Sequence, residues 1–104
     1  MVWDLRITSD KGETTRIGLK GRLSGATSPQ LATALEEAIA SGSRRILLDL
    51  KDLNYISSGG IVVIQSAAAR LQSEGGSLQL TGAQPAVQVA LKLAGMDPSA
   101  PPTP

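Results

Sequence analysis

The feature that most constrains this chain is a five-residue run near its middle, Ile46-Leu47-Leu48-Asp49-Leu50, set between two segments of helical periodicity. A run so short and so apolar reads as a central strand covered on both faces. Before it, Leu31, Leu35, Ala38 and Ile39 share one helical face while Glu36 and Glu37 stay wet. Ser28-Pro29 opens that helix, with Ser28 as the cap and proline at the first helical position. Ser41-Gly42-Ser43 closes it, with Gly42 as the left-handed residue. After the run, Ile61, Ile64, Ala68 and Leu71 recur at helical spacing until Gly75-Gly76 stops them. The passage from this strand through the second helix to the next strand implies a right-handed crossover and parallel pairing for the last two strands.

The flanks complete the pattern. Trp3, Leu5 and Ile7 alternate with Asp4, Arg6 and Thr8, the period of a strand with one wet face. Asp10-Lys11-Gly12-Glu13 is turn chemistry, with Gly12 free to take positive φ. Thr15, Ile17 and Leu19 then alternate against Arg16, Gly18 and Lys20, so the two runs form an antiparallel hairpin. Residues 21–27 read as a loop, and Lys51 to Ile56 lead out of the central strand. Leu78 and Leu80 mark a brief strand. Pro85 opens a third helix with Val87, Leu91 and Ala94 on one face, and Gly95 ends it. The predicted fold is α/β: a single domain over residues 1–97, with a mixed four-stranded sheet and three helices in the order β-β-α-β-α-β-α. Residues 98–104, with four prolines, are expected to be a disordered tail.

A chain of 104 residues with 41% apolar content supports one core and one domain. Ten basic against nine acidic residues leave a net charge of +1, so no nucleic-acid partner is expected. The chain has no cysteine and no histidine, which excludes a disulfide, a thiolate nucleophile, an imidazole base and a Ser-His-Asp triad. One Trp, one Tyr and no Phe leave little on which bases could stack. No stretch approaches the ~18 apolar residues of a membrane helix, so no membrane insertion is expected. Asp4 and Arg6 close behind Met1 do not read as a signal peptide, and a cytoplasmic location follows as the default. No cofactor or metal is expected.

Few side chains could carry chemistry. Asp49 and Asp52 form an acidic pair near the end of the central strand, where a magnesium ion is conceivable, although solvated loop carboxylates are the better explanation. Gly18, Gly21 and Gly25 lack dinucleotide spacing, and no phosphate loop is present. Arg44-Arg45 fits a solvated helix-to-strand corner. The segment Asn54-Tyr55-Ile56-Ser57-Ser58-Gly59-Gly60-Ile61 lies between a strand and a helix, the end of the sheet where α/β ligand sites collect. Ser57 or Ser58 would cap that helix, whose start carries free N–H groups and about half a positive charge. Phosphate on a serine there would add about −1.5 to −2 charge without disturbing the fold. Spacing alone describes an ordinary cap and turn.

Residues Asp49 to Ile61 resemble the signature of STAS domains, shared by sulfate transporters and bacterial anti-sigma factor antagonists. An aspartate in the strand is followed by the apolar pair Tyr55-Ile56. Ser57 stands at the Asp-or-Ser position, Ser58 at the phospho-acceptor position, and Gly59-Gly60-Ile61 at the small-Gly-aliphatic position. Lys20-Gly21-Arg22-Leu23-Ser24 resembles the family's Gly-x-Leu-Asp loop, and Ala83 to Asp97 its third helix with the Gly-hydrophobic-Asp that follows. The resemblance implies a switch without catalysis of its own. The unphosphorylated domain binds an anti-sigma factor that is also a serine protein kinase, Ser58 accepts phosphate from ATP, the partner lets go, and a serine phosphatase restores binding. Arg22, Ser24, Ser57, Gly59 and Gly60 would form the partner surface.

Three departures stand out. Ser57 replaces the acidic residue common before the acceptor, Ser24 replaces an aspartate, and the family usually continues with another strand and helix where this chain runs into prolines. An exposed sheet edge is then expected, to be covered by a partner, by the tail, or by a second copy in a homo-oligomer. Two other functions compete. In one, the domain is a permanent interaction subunit on the ATPase of an ABC lipid transporter or in a stress-signalling scaffold. In the other, ranked far lower, Ser58 is the nucleophile of a hydrolase.

Overall fold

The computed structural model of the chain describes residues 4–96. Trp3 and the expected tail at 98–104 lie outside them. Strands β1 (Leu5–Asp10) and β2 (Thr15–Leu23) pair antiparallel, with Leu5 opposite Gly21 and Asp10 opposite Arg16. Then come α1 (Ser28–Ala40), β3 (Arg45–Ile56), α2 (Ser58–Ser73), β4 (Ser77–Thr81) and α3 (Pro85–Leu93). β3 runs parallel to both β2 and β4, and the sheet order is β1-β2-β3-β4. The mixed four-stranded sheet, the three helices and their order match the sequence expectation.

Both crossovers step the same way across the sheet, so their right-handedness puts α1 and α2 on one face. α3 joins them: the Gln65 side-chain amide on α2 donates to the Ala94 carbonyl at 3.1 Å. One core fills this layer, with Leu19, Leu31, Leu35, Leu48, Leu50, Ile64, Leu71 and Leu91 all almost fully buried.

The expectation that β3 is covered on both faces does not hold. Ile46, Leu48, Leu50, Leu53 and Ile56 are buried, whereas Leu47 and Asp49 are half-buried and Lys51, Asp52, Asn54 and Tyr55 are exposed. The far face of the sheet is polar and open, carrying Arg6, Arg16, Lys20 and Asp49. Leu47 hid the alternation by placing a leucine on that face.

β2 and β3 are also longer than the sequence suggests, because residues 21–23, read as loop, and 51–56, read as leading out of the strand, are themselves strand. Register slips between Gly18 and Lys20, opposite Asp49 and Asp52, and again between Gly21 and Arg22, opposite Leu53 and Tyr55. Each slip inserts an extra residue into β3, which is why its buried positions lengthen from period two to period three. Gly21 permits the bend in β2: its φ is 114°, and a Cβ there would collide with the Asp4 carbonyl.

The helix ends refine the expected caps. Thr27 precedes α1, and Ser28 is its first, buried residue and not the cap. Gly42 takes positive φ after α1 as expected, Gly75 and Gly95 also take it after α2 and α3, and Gly12 does not.

Candidate functional site

The C-terminal ends of β2 and β3 meet where α2 begins, and one backbone bond ties them. The Ser57 N–H donates to the Leu23 carbonyl at 2.8 Å. Ser57 is extended, and its Oγ accepts from the Gly60 N–H at 3.1 Å. The sequence left the cap open between Ser57 and Ser58; the structure assigns it to Ser57. Ser58 is the first helical residue, exposed, and its hydroxyl bonds to no other described residue. The first turn of α2 contains no acidic side chain, so the positive end of the helix is not neutralised locally.

Two glycines seat this turn in different ways. Gly60 is buried, and a Cβ there would stand 2.7 Å from Leu23 Cγ and Cδ2. Gly60 therefore lets α2 settle on β2 and does not face outward. Gly59 is exposed, and a Cβ there would meet nothing closer than Ser28 Oγ at 3.6 Å and Ser57 Oγ at 3.7 Å, with Gly25 Cα at 3.9 Å. The start of α1 thus lies beside the start of α2.

The neighbouring loop is locked from within by Thr27, which is 3% exposed. Its hydroxyl donates to the Arg22 carbonyl at 2.7 Å and accepts from the Ser24 N–H at 2.8 Å. Ser24 Oγ lies 3.3 Å from the same hydroxyl. Arg22 pairs across the ladder with Tyr55, and its guanidinium carbon lies 4.7 Å from the centre of the Tyr55 ring. The structure thus gathers Arg22, Ser24, Ser57, Ser58, Gly59 and Gly60 at one end of the sheet. Sequence reasoning did not name Tyr55 or Thr27 as site residues. Tyr55 was legible only as half of an apolar pair, and the bulge before it turns the ring out to 42% exposure. Thr27 carried no signal beyond its place before a helix.

Other candidates lie elsewhere. The Asp49 carboxylate accepts from the Lys51 N–H at 3.1 Å on the open sheet face. No cluster of three metal-ligating side chains occurs among the described residues. Arg44 donates to the Ile39 carbonyl at 3.2 Å and pairs with Glu74 at 3.4 Å, closing the α1–β3 corner. Among the described residues no helix is long and apolar enough to cross a membrane.

Comparison with known proteins decides the family. A family model described as "Mlab, STAS domain" matches residues 8–98. The chain belongs to the STAS domain family. This STAS domain is 34% identical over 92 residues to BtrV of Bordetella bronchiseptica, which carries the name of an anti-sigma factor antagonist; the match spans 88% of this chain and 79% of BtrV. Its fold is similar to that of the anti-sigma factor antagonist SpoIIAA in its unphosphorylated form, with a TM-score of 0.79 and 21% identity over 90% of this chain and 83% of the other. SpoIIAA from Bacillus in its phosphorylated form gives a TM-score of 0.71 at 20% identity, covering 88% and 84%. An anti-sigma factor antagonist from Mycobacterium paratuberculosis gives 0.80 at 17% identity, covering 88% and 78%.

Proposed function

We propose that this STAS domain is an anti-sigma factor antagonist that works by partner switching at Ser58. In the unphosphorylated state Arg22, Ser24, Ser57 and Gly59, seated by Gly60, bind an anti-sigma factor that is also a serine protein kinase. Ser58 Oγ then attacks the γ-phosphorus of ATP held by that kinase. The bond to the ADP oxygen breaks, ADP leaves, and the hydroxyl proton passes to a base on the kinase. The new dianion repels the partner, and a serine phosphatase resets the domain by hydrolysis. The domain is ligand and substrate; catalysis belongs to its partners.

The observation that carries this reading is the division of labour between the two serines. Ser57 supplies the cap, which leaves the Ser58 hydroxyl exposed and uncommitted at the positive end of a helix. A phosphate there is stabilised by the free N–H groups of the first turn, so its cost falls on the bound partner and not on the fold. The resemblance to an antagonist solved in both phosphorylation states supports the same reading.

The test is phosphosite mapping after incubation with the cognate kinase and ATP. One phosphate on Ser58, absent in Ser58→Ala, is expected; phosphate on Ser57, or none, contradicts the proposal. Unaltered partner binding by Ser58→Asp would favour a permanent subunit of a lipid-transport ATPase or a scaffold.

A further inference from the structure

The two edges of the sheet are built differently. β1 carries Arg6 and Asp10, charges of the kind that discourage edge pairing. β4 carries none. Its sequence with flanks is Gly76-Ser77-Leu78-Gln79-Leu80-Thr81-Gly82, without charge or proline, and among the described residues β3 is its one strand neighbour. All five residues of β4 are only half-buried, including Leu78 and Leu80, which pack against the core.

That segment is close to palindromic about Gln79: Leu78 mirrors Leu80, Ser77 mirrors Thr81, and Gly76 mirrors Gly82. The hydrogen-bond phase agrees with the symmetry. The Ser77 N–H donates to the Arg44 carbonyl, so Ser77, Gln79 and Thr81 turn their backbone groups toward β3. Leu78 and Leu80 then turn theirs outward. In an antiparallel pair two such residues, separated by one, form adjacent hydrogen-bonded pairs.

We infer that β4 is a homodimerisation edge, on which a second copy of this chain pairs antiparallel about a two-fold axis at Gln79. Leu78 exchanges both backbone bonds with Leu80 of the other copy, and the reverse pair does the same, which makes four bonds. The two Gln79 side chains meet on the open face, and the four leucines meet on the helix-covered face, joining two sheets into one of eight strands. No charge within the segment opposes itself across the axis, and the interface is isologous, so assembly closes at two. Such an edge is small against a standard interface of about 1,600 Å², so the dimer is concentration-dependent. β4 pairs with Arg45–Asp49, seven residues short of the end of β3, so the Ser58 surface lies roughly 20 Å further along the strand and stays open in both copies.

The test is sedimentation of the full chain over a concentration series, with amide hydrogen exchange followed at single residues. Wild type is expected to pass from the mass of one chain to that of two, and the Leu78 and Leu80 amides to become protected as it does. Gln79→Lys alone and Gln79→Glu alone should sediment as folded monomers, whereas their equimolar mixture should recover the dimer through opposite charges at the axis. A wild type that stays monomeric overturns the inference, as it would if residues 97–104 or nothing at all occupied the edge. Dimerisation that leaves the Leu78 and Leu80 amides unprotected, or that Gln79→Lys does not weaken, overturns it as well.

Discussion

At the residue scale, two adjacent serines and two adjacent glycines have separate tasks, and substitution distinguishes them. Ser57→Ala removes the cap accepted by Gly60 and should cost about 1 kcal/mol. Calorimetry should record this as a fall in Tm of about 4–8 °C for a domain near this size. Ser58→Ala breaks no bond and should stay within about 0.5 kcal/mol of wild type. Gly60→Ala drives a methyl into Leu23, 2.7 Å away, and should cost about 1–3 kcal/mol by urea denaturation. Gly59→Ala has room and gains helix propensity, so it should be neutral or stabilising by up to about 1 kcal/mol. The serine pair was legible in the sequence as one cap with two candidates. Choosing between them needed the ψ of Ser57, which a string of residues does not display.

At the element scale, local rules predict elements well where one rule acts alone. α2 and α3 follow from their periodicity and their glycine stops. β3 was only half legible, because two bulges change its buried spacing and a leucine at 47 occupies the wet face. The same bulges turn Tyr55 outward beneath Arg22, so the part of the site that sequence missed is the part that tertiary pairing makes. The loop between β2 and α1 has its own test. Thr27→Val keeps the shape but leaves the part-buried Ser24 N–H without its acceptor and the Arg22 carbonyl without its donor. A loss of about 1–3 kcal/mol is expected in urea unfolding, with faster exchange at the Ser24 amide. A cost near zero would mean that water replaces the hydroxyl and that Thr27 does not hold the loop.

At the scale of the whole molecule, the helices cover one face of the sheet, the other face is polar, and the C-terminal ends of β2 and β3 present Ser58. In the proposed function this arrangement would separate stability from signalling: the core is buried behind the site, so a charge at Ser58 would alter what the surface attracts while the fold persists. Ser58→Asp should therefore unfold at or slightly above the wild-type midpoint yet lose its partner, because a carboxylate is forced into a contact with nothing to balance it. The family was legible from the ordered motifs; the open sheet face was not, since covering depends on which way each crossover steps.

The most direct measurement is titration calorimetry of the cognate anti-sigma factor into this domain, before and after stoichiometric phosphorylation at Ser58. Tight binding by the unphosphorylated form and a loss of about a hundredfold or more on phosphorylation are predicted, with circular dichroism unchanged between the two forms. Equal affinity of both forms would contradict the account.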